Sequence, residues 1–422
     1  MSSTLQSITS AIPSLGRARL LINSSDDVVI VSAVRTAITK VLFAGVKSKK
    51  GGFKDCVPED LLAAVFTEVL KRSKVDPSKI EDIAVGNVLP PGGGANVARM
   101  AQLYAGIPYT TPINTVNRQC SSGLTAVVQI ANEIKSGEID IGIGAGVEHM
   151  TAHYGAGVLP ERMSDVILSN PEAADCLLPM GITSENVAKQ YNVSRDTQDT
   201  FAANSFAKAA EAQRLGKFKD QIVPVKVMWM DPKTEEEKEI IVDADDGIRE
   251  GVTKESLAKL KPAFAKDGTT HAGNASQVSD GAAAILLARR SVAYKLGLPI
   301  LGKFVTSAVV GVPPKLMGIG PAFAIPKALQ KAGITKEDVD FFEINEAFAS
   351  QAVMSIQHLH LPFEIVNPNG GAIAMGHPLG CTGARQIATA LSEAKREKKK
   401  VFVTSMCIGS GMGMAAVFVN EQ

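Results

Sequence analysis

The chain has 422 residues, too many for one compact core, so we expect two or three units that each bury their own. Apolar residues make up 45% and charged residues 21%, a globular balance that excludes general disorder and a fibrous repeat. The formal net charge of +1 argues against nucleic acid or an anionic membrane as the main partner.

The N-terminal segment has the composition of a targeting arm. Residues 1–26 are rich in Ser and Thr, carry Arg17 and Arg19, and hold no acid before Asp26. A detachable targeting arm and a tail of no specific address both fit this composition. We predict that residues 1–27 form a flexible leader.

The first half of the chain alternates predicted strands and helices. Residues 28–34 form a β-branched strand, and a helical pattern runs from about 58 to 71. Strands are predicted at 83–88 and 139–147, and a helix of small residues at 124–134 lies between them. This alternation predicts an α/β fold.

The second half of the chain repeats the first at an offset of about 260 residues. Cys-Ser-Ser-Gly at 120–123 aligns with Gly-Cys-Thr-Gly at 380–383, and each precedes a helix of small residues. Residues 81–87 align in the same way with 339–345, and each segment is a strand that ends at Asn. Two like halves create a cleft where they meet, which is a common place for ligand binding.

The closing strands of the two halves are spaced differently. Residues 401–406 are followed almost at once by 414–419, whereas the strand at 282–288 comes more than a hundred residues after 139–147. We therefore predict a loop domain inserted between the last two strands of the first copy. The predicted units are residues 28–150 with 276–293, the inserted loop domain at 151–275, and the second half at 294–422.

The five cysteines lie far apart, without the paired spacing of a zinc site or a disulfide framework. This favours a reducing compartment and no metal. No apolar run reaches the roughly 20 residues that span a bilayer, so we expect no membrane insertion.

Cys120 is the first candidate for chemistry. It lies where a predicted strand leads into a helix, so its sulfur would face unpaired N–H groups and the positive end of the helix dipole. Both influences lower a thiol pKa from about 8.5 and produce the reactive thiolate. A lone cysteine is more often a small buried hydrophobe, but the two serines and Gly123 leave room for a bulky acyl group.

A histidine and a second cysteine lie in glycine-rich segments. His377 precedes the helix that repeats the one after Cys120, and a usual pKa of about 6.5 suits it to proton transfer. Cys407 opens a loop whose glycines, Gly409 among them, expose backbone N–H groups in the manner of an oxyanion hole. A tight turn between strands would use similar glycines.

Asn345 and Glu346 follow an apolar strand that ends at the predicted cleft. Asn345 could orient a water molecule, and Glu346 could hold the histidine. Alternatively, both residues simply cap the next helix.

Four short motifs occur in order along the chain. They are Asn-Arg-Gln-Cys-Ser-Ser-Gly at 117–123, Asn-Glu-Ala-Phe at 345–348, Gly-His-Pro at 376–378 and Cys-Ile-Gly-Ser-Gly-Met-Gly at 407–413. With these motifs the sequence resembles the thiolase family from about Val28 to the C-terminus. The resemblance implies a thiolase fold, in which duplicated βαβαβαββ halves form a five-layer α-β-α-β-α arrangement with an inserted loop domain.

The resemblance also implies a role for each site residue. Cys120 would accept the acyl group, His377 would take its proton, and Cys407 would be the second acid/base. His377 with a water held by Asn345 would form the oxyanion site for an enolate, and the N–H groups of Cys120 and Gly409 would form a second site for a tetrahedral intermediate. Coenzyme A is then a substrate, and no metal or redox cofactor is needed.

Two segments bear on the substrate. Met180 lies in Pro-Met-Gly, which resembles the degradative thiolases, whereas biosynthetic acetoacetyl-CoA enzymes usually have His-Met-Gly. Residues 272–281 are similar to the segment that contacts the pantetheine arm of CoA, with Ala272, Ala275 and Ser276 as the expected contacts. The similarity is greatest to the peroxisomal members, which implies cleavage of 3-oxoacyl-CoA by CoA to acetyl-CoA and a shortened acyl-CoA in fatty acid beta-oxidation.

Three other functions remain open. One is a short-chain acetoacetyl-CoA thiolase. A decarboxylating ketoacyl synthase would replace the second cysteine with histidine, which Cys407 argues against. A non-catalytic lipid-binding protein would have lost Cys120, His377 or Cys407. The resemblance further implies a homodimer.

The leader and the core point to different compartments. Peroxisomal thiolases commonly carry Arg-Leu, five residues, then His or Gln and Leu, and residues 4–12 have this outline without the Arg and the His. A Ser-rich, acid-free leader also fits a mitochondrial presequence. We predict the peroxisome, with an import receptor as a further partner and the mitochondrion as the alternative.

His149 and His271 stand where the family usually has Ser and Thr, and the sequence assigns neither a role.

Overall fold

A computed structural model describes residues 14–41, 51–155, 162–231 and 233–422. The predicted import signal at residues 4–12 therefore lies outside the described residues. The described part of the leader holds a short helix whose Arg17 forms an ion pair of 2.9 Å with Asp340. The leader boundary at residue 27 stays a prediction. No helix within the described ranges is long and apolar enough to cross a membrane.

The order of elements follows the predicted alternation of strands and helices. The strands are β1 Val28–Thr36, β2 Thr39–Lys40, β3 Asp82–Gly86, β4 Ile113–Val116, β5 Ile141–His149, β6 Ile222–Val223, β7 Val225–Met230, β8 Glu237–Val242, β9 Ser279–Arg289, β10 Gly302–Gly311, β11 Phe341–Ile344, β12 Val401–Ile408 and β13 Met412–Asn420. The helices are α1 Leu15–Leu20, α2 Pro58–Ser73, α3 Ala95–Tyr104, α4 Ser122–Ser136, α5 Met150–His153, α6 Asp165–Leu168, α7 Pro171–Asp175, α8 Met180–Gln190, α9 Arg195–Arg214, α10 Lys254–Ala258, α11 Arg290–Lys295, α12 Gly320–Ala332, α13 Ala349–His358, α14 Ala372–Met375 and α15 Leu379–Arg396.

The strand order shows the internal repeat directly. The sheet runs β11-β12-β13-β10-β1-β9-β5-β3-β4, with β2 beside β9 and β6 beside β1. At its centre β1 and β10 pair antiparallel, with Val28 opposite Phe304 and Ile30 opposite Gly302. Outward from this seam, β1, β9, β5 and β3 match β10, β13, β12 and β11. The predicted duplicated α/β fold is confirmed.

The insertion lies between two strands that are neighbours in the sheet. β5 and β9 pair antiparallel from Ile141 opposite Ala288 to His149 opposite Asp280, although the intervening chain is longer than a hundred residues. That intervening chain forms α5 to α10 and a separate two-stranded sheet of β7 and β8. The bounds 151–275 for the loop domain stay a prediction.

Helices α4 and α15 form the middle layer and are buried between strands of both halves. They meet at glycines. A Cβ atom on Gly123 would lie 2.5 Å from the carbonyl oxygen of Gly380, and one on Gly383 would lie 2.2 Å from the backbone nitrogen of Leu124. The two backbones are therefore in direct contact, and the N-terminal ends of the two helices lie close together.

Candidate active site

Cys120 lies in the short turn Gln119–Ser121 that leads into α4, and it is half-buried. The neighbouring serines hold this turn in shape. The Ser121 hydroxyl donates to the carbonyl of Arg118 at 3.0 Å, and Ser122 Oγ accepts from the Arg118 N–H at 2.9 Å. The backbone N–H groups of Cys120 and Gly409 lie near Cys120 Sγ and favour its charged form. Two N–H donors therefore converge at the position of the nucleophile.

The predicted lowering of the Cys120 pKa is wrong for the free protein. Burial is the largest influence and raises the pKa of this thiol to about 11, and the nearby charge of Glu148 acts in the same direction. The hydrogen bonds from Gly409 and from Cys120 itself lower the pKa without reversing the shift. Sequence shows the helix end but not the burial. Cys120 is therefore a thiol that needs a base when it attacks.

The second glycine-rich loop is the hairpin turn between β12 and β13. Ser410 and Gly411 adopt the left-handed backbone, with φ of 59° and 90°. A Cβ atom on Gly409 would lie 1.8 Å from Gln119 Oε1. Glycine at this position lets the loop backbone approach the Cys120 turn closely enough to donate its N–H.

Cys407 is fully buried beside the same turn, because β12 packs against Gln119–Ser121. Burial raises the pKa of its thiol well above the usual value, and a negative charge on Cys120 would raise that pKa further. Its apolar neighbours include Met317 and Phe348. Cys407 is therefore a neutral thiol, able to give up a proton to a stronger base.

His377 lies two residues before α15, whose N-terminal end packs against the Cys120 turn. Its Nδ1 lies 2.6 Å from Thr382 Oγ1, and its Nε2 lies 3.3 Å from Asn345 Nδ2. Burial first, and then the charge of Arg385, lower the pKa of His377 to about 3. The imidazole is therefore neutral across the physiological pH range.

Asn345 faces His377 through its amide nitrogen, and its Oδ1 is buried without a hydrogen-bond partner among the described residues. Glu346 does not hold the histidine, so that hypothesis is wrong. Its carboxylate instead accepts hydrogen bonds from Ser205 at 2.6 Å and from Asn367 at 2.8 Å. Glu346 thus ties α9 of the insertion to the loop that leads to His377.

The sequence motifs also missed Gln277, which lies on the opposite side of the histidine loop. Its backbone carbonyl accepts the His377 N–H at 3.0 Å. Its side-chain amide donates to the carbonyls of Gly247, Ile373 and Ala374. The only sequence signal for this role was its place beside the expected CoA contacts.

The expected CoA contacts separate into two groups. The Ser276 N–H donates to the carbonyl of Ala347 at 2.9 Å, and Ala275 packs at the edge of the cluster that contains Cys407. Ala272 is exposed on the same segment, and Met180 is 37% exposed at the start of α8. The structure brings Ala275 and Ser276 to the site and places the other two at the surface of the insertion.

His149 and His271 have structural environments. Nε2 of His149 lies 3.0 Å from the carbonyl of Phe53, and its Nδ1 accepts the N–H of Ala152. Nε2 of His271 lies 2.7 Å from Asp199 Oδ1, and its Nδ1 accepts the N–H of Gly273. Both rings use both nitrogens to hold turns. Among the residues the structure describes, no group of three or more His, Cys, Asp or Glu could hold a metal ion.

Comparison with known proteins gives consistent similarities along the chain. The thiolase N-terminal domain model matches residues 28–291, and the thiolase C-terminal domain model matches residues 298–420. The peroxisomal 3-ketoacyl-CoA thiolase of Yarrowia lipolytica is 58% identical over 409 residues, 97% of each chain. The human peroxisomal enzyme is 58% identical over 396 residues, 94% of this chain and 91% of that protein. The dimeric peroxisomal thiolase of Saccharomyces cerevisiae, a crystal structure, matches with a TM-score of 0.88 and 51% identity, covering 96% of this chain and all of that one.

Proposed function

The chain belongs to the thiolase family, and we propose that it cleaves 3-oxoacyl-CoA with coenzyme A, giving acetyl-CoA and a shortened acyl-CoA. It is an acyltransferase of peroxisomal fatty acid beta-oxidation, as the high identity to peroxisomal 3-ketoacyl-CoA thiolases indicates. The observation that carries the mechanism is the close approach of the Gly409 loop to the Cys120 turn, which brings the backbone N–H groups of Cys120 and Gly409 near the sulfur of Cys120. Such donors stabilise the oxyanion that forms when this sulfur attacks a carbonyl.

The first half-reaction begins at Cys120. As its sulfur bonds to C3 of the substrate, its proton moves to Nε2 of His377, and the N–H groups of Cys120 and Gly409 hold the new oxyanion. When this intermediate collapses, the bond between C2 and C3 breaks, and its electron pair leaves with C2 as the enolate of acetyl-CoA. The protonated His377 and a water on Asn345 would hold the enolate oxygen, while Cys407 gives a proton to C2.

The second half-reaction transfers the acyl group from Cys120 to CoA. The Cys407 thiolate takes the proton of the incoming CoA thiol, and the CoA sulfur attacks the thioester carbon of acyl-Cys120. The same two N–H groups hold the oxyanion, and Cys120 leaves as a thiolate that regains its proton from His377. All protons return to their starting positions, so the cycle needs only CoA as a second substrate.

The insertion has a place in this scheme. We assign residues 151–275 to a loop domain that presents the CoA-binding residues Met180, Ala272 and Ala275, with Ser276 directly after it. Support comes from the hydrogen bond of the Ser276 N–H to the carbonyl of Ala347, which lies in the same cluster as Cys407. The anchoring of Glu346 by Ser205 also joins this domain to the histidine loop.

We also propose a homodimer that forms along the edge of the sheet at β4. This strand pairs with β3 on one side, and no described strand covers its other side. Large apolar side chains stand exposed on the neighbouring α3 and the loop after it, namely Met100, Leu103, Tyr104 and Tyr109. An open strand edge beside exposed apolar side chains is a surface that a second copy can cover.

We also propose that the N-terminal leader is the peroxisomal import signal. The leader would bring the chain to a peroxisomal import receptor, although residues 4–12 depart from the common signal at two positions. Fusing residues 1–27 to a fluorescent protein tests this directly. Import of the fusion into peroxisomes supports the leader as the signal, and import into mitochondria replaces the proposal.

The deciding experiment for the activity follows loss of enolate absorbance with acetoacetyl-CoA and with a long-chain 3-oxoacyl-CoA, each with free CoA. Cys120→Ser should abolish turnover of both. Cys176→Ser is the matched control, because Cys176 is exposed and lies in the insertion, and it should leave both rates unchanged. Turnover of acetoacetyl-CoA alone would indicate a short-chain acetyl transferase, and no turnover of either would support the lipid-binding alternative.

A further inference from the structure

Thr382 takes no part in either half-reaction, yet it makes the shorter of the two side-chain hydrogen bonds to His377. It is fully buried in the first turn of α15, and its Oγ1 lies 2.6 Å from Nδ1 of His377. The same hydroxyl donates to the carbonyl of Pro378 at 3.1 Å. A hydroxyl has one hydrogen to donate, so Oγ1 is left to accept a hydrogen from the imidazole.

The other face of the ring agrees with this assignment, because the structure turns the amide nitrogen of Asn345 towards it. Nε2 of His377 lies 3.3 Å from the amide nitrogen of Asn345, which can only donate. A hydrogen on Nε2 would set two donors against each other in a buried place. The hydrogen of the neutral ring therefore belongs on Nδ1, towards Thr382, and the lone pair belongs on Nε2.

We infer that Thr382 is a positioning residue that fixes His377 in the Nδ1–H tautomer and so keeps the lone pair on Nε2, where it can take the proton of Cys120. The inference rests on the proposed function in one respect, which is the use of Cys120 as nucleophile and His377 as its base. The charge of Arg385, three residues further along α15, supports it by disfavouring a second proton on the ring.

The internal repeat gives Thr382 a counterpart, Ser122, at the offset of about 260 residues. Ser122 accepts the Arg118 N–H and donates to the carbonyl of Gln119, so it holds the turn that carries the nucleophile. The same position in the two halves thus fixes the nucleophile in one and its base in the other. Both halves of the chain therefore have a hydroxyl side chain at the start of their middle-layer helix.

The test measures how fast iodoacetamide alkylates Cys120 at neutral pH, with the labelled cysteine identified by mass spectrometry. The variants are Thr382→Val, which keeps the shape and removes the hydroxyl, and Thr382→Ser, which keeps the hydroxyl and removes the methyl group. We expect Val to lower the rate roughly 10- to 100-fold, which is the effect of losing the partner that orients a metal-bound histidine, and Ser to stay within about threefold of wild type. Thiolysis should show the same order in kcat with little change in KM for CoA.

A packing role predicts the reverse order, because valine fills the space of threonine better than serine does. Wild-type alkylation in Thr382→Val, or a tenfold loss in Thr382→Ser, would overturn the inference. Thr389→Val is the matched control, since Thr389 is buried on the same helix and bonds to Gln221 at 2.7 Å, far from the histidine. It should leave alkylation unchanged.

Three further outcomes also have a fixed interpretation. If Thr382→Val does not fold, as judged by circular dichroism, the Thr382→Ser result decides alone. If the wild-type protein shows no thiolysis but Thr382→Val still slows alkylation, the proposed function fails and the positioning role stands. If thiolysis is present and Thr382→Val leaves both rates unchanged, the positioning role fails by itself.

Discussion

Replacing Gly123 with alanine tests whether the contact between the two middle helices sets the geometry of the site. The added Cβ would lie 2.5 Å from the carbonyl oxygen of Gly380 and 3.0 Å from the nitrogen of Ala384, both of them backbone atoms. Ordinary contact begins at about 3.4 Å, so α4 and α15 must separate by close to 0.9 Å. Cys120 precedes one helix and His377 the other, and a misplacement of about 1 Å can cost roughly 100-fold in rate.

Stability is the less sensitive measure of this change. Overpacking costs about 1–3 kcal/mol, whereas alanine in place of glycine within a helix contributes about 1 kcal/mol of stabilisation, so the two effects partly cancel. We therefore expect a small decrease in thermal stability and a large decrease in kcat for thiolysis. Gly311→Ala is the control, because a Cβ at Gly311 meets nothing within 4 Å. A Gly123→Ala enzyme with kcat within twofold of wild type would refute the reasoning.

Three other predictions follow from the site and its surface. Burial and the charge of Arg385 lower the pKa of His377 to about 3, so the ring is unprotonated above that value. The acid limb of the kcat/KM profile should therefore lie below pH 5. An acid limb near pH 6.5 would contradict this prediction. Cys407→Ser should lower kcat for thiolysis about 100-fold or more while alkylation of Cys120 stays within about threefold, and an equal loss of both would mean that Cys407 acts on the nucleophile itself. Tyr104→Asp places a charge on the exposed apolar surface beside β4. It should shift the protein from dimer to monomer, as measured by size-exclusion chromatography with light scattering. An unchanged dimer would place the interface elsewhere.

The fold could be predicted because the duplication makes distant segments of the sequence similar to each other. The alignment of 120–123 with 380–383 located both middle-layer helices, and the uneven spacing of the closing strands located the insertion. Glu346 was misread for the opposite reason. Its partner Ser205 lies 141 residues earlier on the insertion, and no pattern in one sequence connects the two positions.

Burial was the other property that the sequence could not supply. A helix N-terminus favours a thiolate at Cys120, and that local influence is present as two N–H donors. The sign of the pKa shift depends on a competing desolvation that exists only after the two halves have packed around the sulfur. The sequence does not single out Thr382, because a threonine at the start of a glycine-rich helix has many ordinary explanations.

The close packing of α15 against β3 and β5 also explains why a molecule built from two equivalent halves has a single reaction centre in each chain. Position 380 is the counterpart of position 120, so a symmetric protein would carry a second nucleophile there. A Cβ atom at Gly380 would lie 2.6 Å from the carbonyl oxygen of Val147 and 2.7 Å from that of Gly86. Any side chain at this position would separate α15 from the strands beneath it. The second half therefore has no nucleophile at this position. It supplies His377 and Cys407, which transfer protons.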